Sequence, residues 1–162
     1  MAVDPEITKR ILADELAQFA EIARSYRWEI SPDIQSLLVT TKMRAHDGDL
    51  FIVETRFDNY KEWPPFFEFI DPDTGVKGTR HAYPRSTDSF FHESLPCICA
   101  PFNRKAYKLV DSTGPHPDWN FNDWATSMAN NYDWSRASKF GDMLNMIQTR
   151  IITPQLYKGR MQ

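Results

Sequence analysis

The residues most able to do chemistry are two thiols and two imidazoles. Cys97 and Cys99 stand one residue apart in the stretch Phe90 to Arg104, which has two prolines, no glycine and one histidine, His92. A second histidine, His116, follows in Gly114-Pro115-His116-Pro117. Thiols this close in sequence do not staple distant parts of a fold, so they are expected to be free. They then serve nucleophilic chemistry, metal binding or packing. A thiolate is the reactive form, and its population depends on the local field. Arg104 and Lys105 lie near enough in sequence to supply positive charge. His116 reaches the thiol as a base or orienting group if the loop folds back. Three uses follow: an acyl-carrying or hydrolytic cysteine, a zinc site of His92, Cys97, Cys99 and His116, or a packed loop. Against zinc, Cys-x-Cys is a less usual spacing than Cys-x-x-Cys. Against a hydrolase, no helix is predicted to begin at either cysteine, where its N-terminus would stabilise a thiolate.

The elements that must position this loop read clearly on either side. Asp4-Pro5-Glu6 opens a helix, with Asp4 as N-cap and Pro5 at the first helical position. Ile7, Ile11, Leu12, Leu16, Phe19 and Ile22 predict one apolar face on a helix that fades near Arg24 to Tyr26. Trp28 to Asp33 reads as a connector centred on Pro32. Leu37, Val39, Thr41 and Met43 alternate with polar residues as in a half-buried strand. Asp47-Gly48 signals a turn. Leu50 to Phe57 is a second strand, with Phe51, Val53, Thr55 and Phe57 on one side. Asp58 to Pro65 forms a rigid turn, and Phe66 to Ile70 a third strand. Three strands with short turns predict an antiparallel meander. No strand is placed between Val76 and Ser89.

Downstream, Lys105 to Asn122 is a long connection. Trp119, Trp124 and Trp134 are expected as core or loop anchors. A closing helix starts near Ser138, an expected N-cap. Phe140, Leu144, Ile147 and Ile151 form its apolar face, and Pro154 ends it. There is no internal repeat, low-complexity tract or linker. The 162 residues are read as one α+β domain.

Composition narrows the function classes. A net charge of −3 and a pI near 5.8 argue against a nucleic-acid surface. No apolar run approaches the roughly 20 residues of a membrane span. The first residues lack the layout of a signal peptide. With two free thiols, these features predict a cytoplasmic protein without a membrane partner.

The order of these elements resembles the ubiquitin-conjugating enzymes and their bacterial relatives. Phe57-Asp58-Asn59-Tyr60-Lys61-Glu62-Trp63-Pro64-Pro65-Phe66-Phe67-Glu68-Phe69 is similar to that family's Tyr-Pro-x-x-Pro-Pro turn and the strand after it. Phe91-His92 resembles the start of its Phe-His-Pro-Asn motif, and Ile98-Cys99-Ala100 its Ile-Cys-Leu tripeptide. Asp142-Met143-Leu144-Asn145-Met146-Ile147-Gln148, followed by Pro154, resembles the helix after its crossover. The likeness is of motif order over most of the chain. Glu93 and Ser94 stand where the family has Pro and Asn. The His-to-Cys spacing is shorter, the crossover Trp comes later, and two C-terminal helices are lacking.

This resemblance implies a ubiquitin-conjugating (UBC-like) fold: N-terminal helix, antiparallel meander, active-site loop, Trp-rich crossover, C-terminal helix. It implies that Cys99 accepts a ubiquitin-like modifier as a thioester from an activating enzyme and passes it to an amine on a target protein, with no cofactor. His92 would shape the loop by hydrogen bonding. Asn103 would stand in for the oxyanion-binding amide missing at Ser94. Cys97 is the runner-up thiol. A non-catalytic interaction scaffold of the same fold and the zinc domain remain the alternatives.

Overall fold

The computed structural model describes residues 2–116, 124 and 137–162. Among these, no helix is long and apolar enough to cross a membrane.

The N-terminal helix is α1 (Pro5–Gln18), and Asp4 caps it by accepting a hydrogen bond from Glu6 N. Phe19 breaks the helical run, and a short α2 (Ala20–Ser25) follows. The buried stripe matches the expected one in part: Leu12 and Phe19 are buried, and Ile11 and Leu16 pack against the core. Ile7 and Ile22 are exposed, while Thr8, Leu12, Glu15, Phe19 and Ala23 face inward. Glu15 is held in the core by the polar partners described next.

Four strands form one antiparallel sheet in the order β1-β2-β3-β4: Glu29–Asp33, Leu38–Arg44, Leu50–Arg56 and Phe66–Ile70. The expected connector at Trp28 to Asp33 is therefore corrected to the edge strand β1. Its pairing with β2 puts Pro32 opposite Val39, and Pro is tolerated on an edge. The β2–β3 register sets Val39 against Thr55, Thr41 against Val53 and Met43 against Phe51. The β3–β4 register adds Phe67 and Phe69 to that face. All eight residues are essentially inaccessible.

The closing helix, α3 (Phe140–Ile152), covers this face with Phe140, Leu144, Ile147 and Ile151, all at 0 % exposure. Its expected Ser138 cap is corrected. Lys139 holds the cap position and makes no side-chain capping bond. Instead Glu15 of α1 accepts from Phe140 N (2.9 Å) and from Tyr60 Oη (2.7 Å), and it ion-pairs with Lys61. One buried carboxylate thus supplies the missing N-terminal acceptor. Gly141 lets α1 come close, since a Cβ there would lie 2.6 Å from the Phe19 side chain.

The segment with no placed strand contains β5 (Pro84–Ser86), which pairs with β8 (Tyr157–Arg160) in the short tail. A two-residue hairpin, β6 (Phe91–His92) and β7 (Cys97–Ile98), carries the thiols. Trp124 is buried and stacked on Tyr60. Trp119, Trp134 and most of the expected crossover lie outside the described residues.

Candidate active site

The hairpin sits on the start of β4 through a turn at Arg104–Ala106. Asn103 ties these parts together. Its Oδ1 accepts from Phe67 N (3.0 Å) and Lys105 N (3.2 Å), and its Nδ2 donates to Ile98 O (2.9 Å). Arg104 is buried. It donates to Asp58 O and Pro64 O, pairs with the Asp58 carboxylate, and its N–H donates to Pro65 O. The rigid Pro-Pro turn and the thiol loop are thereby clamped to each other. Phe90 and Phe91 anchor the hairpin's other side in the core.

Cys99 follows β7, and its N–H donates to Phe90 O (2.7 Å). It is half-buried, whereas Cys97 is fully buried against Ala106 and Tyr107. The Cys99 thiol meets His116 Nε2 in a short polar contact. The loop bearing His116 folds back through two backbone bonds, His116 N to Ala106 O (2.9 Å) and Lys108 N to His116 O (2.8 Å). Gly114 makes this return possible. A Cβ there would lie 2.7 Å from the Tyr107 backbone and 2.8 Å from Ala106 C.

His92 stands opposite Cys97 across the hairpin, and its Nδ1 accepts from Leu95 N (3.1 Å) within the connecting turn. The zinc set is not gathered. No three of His92, Cys97, Cys99 and His116 bring ligand atoms within 4.8 Å of one another. Among the described residues only Asp71, Asp73 and His81 do so.

The electrostatics favour neutral forms. Burial pushes the Cys99 thiol up. Burial pushes the His116 imidazolium down, and the charge of His92 adds to this. The Cys97 thiol is pushed up to about 12, by burial first and by Cys99 second, with Lys105 partly opposing. The two cations close in sequence do not act on Cys99 as expected. Arg104 is committed to the 58–64 turn. Lys105 pairs with Glu68 (2.7 Å) and acts on Cys97. The resting pair is then a thiol donating to imidazole, which requires the His116 tautomer protonated at Nδ1. Such a pair can deprotonate sulfur as it attacks a carbonyl carbon.

The structure brings Cys99 and His116 together, sets His92 at the hairpin turn, and places Asn103 beneath the loop as a strut. Gly114 escaped the sequence reading as a positioning residue. Its signal was a glycine two residues before a histidine in a proline-rich run. No protein-family model, no curated protein and no solved structure matches the chain.

Proposed function

We propose that this protein is a thiol acyltransferase of the ubiquitin-conjugating type, in which Cys99 carries an acyl group as a thioester. The contact between the Cys99 thiol and His116 Nε2 on a clamped, half-buried hairpin carries this reading. The helix, the four-stranded meander, the thiol loop and the covering helix also follow the order the resemblance implies.

Cys99 Sγ attacks the carbonyl carbon of a modifier's activated C-terminus while its proton passes to His116 Nε2. The bond to the donor thiolate breaks, and that thiolate leaves with the electron pair. An amine then attacks the Cys99 thioester, and Cys99 leaves as the thiol. The partners are a ubiquitin-like modifier, an activating enzyme and an amine-bearing target. Asn103 and His92 act as positioning residues for the loop.

A hydrolytic use of the same site is favoured by one observation. His116 Nε2 stands against the Cys99 thiol, where a neutral imidazole can also assist water in attacking the thioester, so that the acyl group goes to water rather than to an amine.

Recovery of the protein from its native cells without reducing agent tests the reading. Wild type is expected to carry a protein-sized adduct released by dithiothreitol. Cys99→Ser is expected to carry one released only by alkali. Absence of both adducts, or normal conjugation by Cys99→Ala, would refute it. Adducts that release free modifier at the same rate with and without added amine would select the hydrolase.

A further inference from the structure

Attack on an acyl carbon puts negative charge on the carbonyl oxygen, and an acyl-transfer site needs a hydrogen-bond donor to meet it. The donors nearest Cys99 in the chain are already engaged. Cys99 N–H donates to Phe90 O (2.7 Å). Asn103 is fully buried and donates to Ile98 O. Arg104 is bound to the 58–65 turn, and Lys105 pairs with Glu68.

His92 is placed differently. The hairpin register pairs His92 with Cys97, so the two side chains share one face. The bond from Cys99 N to Phe90 O carries the pairing one residue further and puts Cys99 on that same face. His92 and Cys99 are then diagonal neighbours across the hairpin, a relation that spans about 7–8 Å and lies within reach of an aromatic side chain. His116 closes over this face as well. Tyr107 packs on Cys97, and its ring lies 5.5 Å from the His116 ring. A charge on His92 is felt by His116, as expected of two rings over one face.

The turn fixes the tautomer of His92. Leu95 N–H donates to its Nδ1 (3.1 Å), so Nδ1 bears no proton, and the proton of the neutral ring sits on Nε2. Arg80 holds the same turn by donating to Glu93 O. The ring is pinned at one nitrogen, and its other nitrogen has no partner among the described residues. His92 is only half-buried, so a substrate can reach it.

We infer that His92 Nε2–H is the oxyanion donor of the Cys99–His116 pair: it hydrogen-bonds the carbonyl oxygen of the acyl group as Cys99 attacks. This inference rests on the acyl-transfer reading and gives His92 a catalytic role beyond holding the turn. Cys99 Sγ bonds to the acyl carbon, and its proton passes to His116 Nε2. The carbonyl π pair moves onto oxygen, where the His92 N–H meets it without giving up its proton. That pair then returns and the bond to the donor sulfur breaks. The donor thiolate leaves with the bonding electrons and takes the proton from His116.

Two reactions of the same thiol separate this role from a structural one. Acylation by the acetylglycine thioester of 2-mercaptoethanesulfonate passes through an oxyanion, and alkylation by iodoacetamide does not. Both are followed on the intact protein by mass, with Cys99→Ala as control. An asparagine offers an acceptor where histidine has Nδ1 but no donor at the Nε2 position. His92→Asn should therefore acylate about 10²–10³-fold more slowly than wild type while its alkylation rate stays nearly unchanged. A glutamine keeps a donor at the Nε2 position and lacks the turn acceptor, and a leucine lacks both. His92→Gln should acylate about tenfold or more faster than His92→Leu.

Acylation of His92→Asn at the wild-type rate, a parallel fall of both its reactions, or equal acylation of His92→Gln and His92→Leu would overturn the donor and leave Cys99 standing as the nucleophile. A wild-type protein alkylated at Cys99 but not acylated by the thioester would remove the acyl-transfer reading and the donor with it.

Discussion

Alkylation of Cys99 across pH tests how the Cys99–His116 pair holds its proton. Burial raises the thiol and lowers the imidazolium. Both shifts penalise charge, so a thiolate–imidazolium pair is disfavoured at rest. An ordinary thiol of pKa about 8.5 is about 3% thiolate at pH 7, and each further unit upward removes a factor of ten. Cys99 therefore starts below that fraction. Its iodoacetamide rate is expected to climb about tenfold per pH unit from pH 6 and to level off only above the ordinary thiol range. His116→Gln should leave this profile nearly unchanged, because the resting pair is neutral. The same substitution should lower the acylation rate by about 10²–10⁴, the usual range for a lost general base. Peptide mapping assigns the adduct to Cys99 rather than Cys97, whose full burial should protect it. A rate plateau below pH 7 that vanishes in His116→Gln would show a resting ion pair and refute the reasoning.

Gly114→Ala would drive a methyl group into the Tyr107 backbone. It should shift His116 off Cys99, lower acylation at least tenfold and cost about 1–3 kcal/mol in urea unfolding; unchanged acylation would show that the loop is not held by this contact. Glu15→Ala removes the acceptor for Phe140 N and Tyr60 Oη. A loss of about 2–3 kcal/mol is expected from one cap and one buried hydrogen bond, and a loss under about 0.5 kcal/mol would show that α3 does not depend on that cap. Thr55 is fully buried on β3, and its hydroxyl has no partner among the described residues. Thr55→Val keeps the β-branched shape and should stabilise by about 1 kcal/mol; a lower melting temperature would reveal a partner for the hydroxyl.

Alternation made β2 and β3 legible, because one buried face forces period two on the residues, whereas β4 reads as a short aromatic run between turn signals. Phe66–Ile70 matches its expected bounds, and the apolar face of α3 holds at all four positions. Strand β1 was not legible. Its residues are mostly exposed, so no alternation marks it, and only pairing with β2 makes it a strand. Strands β5 and β8 likewise define each other across the chain.

At the site, the sequence by itself determined which atoms could react: two free thiols, two nearby imidazoles and a proline-rich loop to hold them. It also marked Cys99 as the thiol to follow. Tertiary structure decided the rest. Backbone bonds to Ala106 and Lys108, with the bare Cα of Gly114, bring His116 to Cys99 across seventeen residues. Burial separates the two thiols that the sequence set one residue apart. Cations adjacent in sequence were turned elsewhere, Arg104 to Asp58 and Lys105 to Glu68. Local patterns record which faces are buried. Long-range contacts, closed only when the chain folds, record which side chains meet.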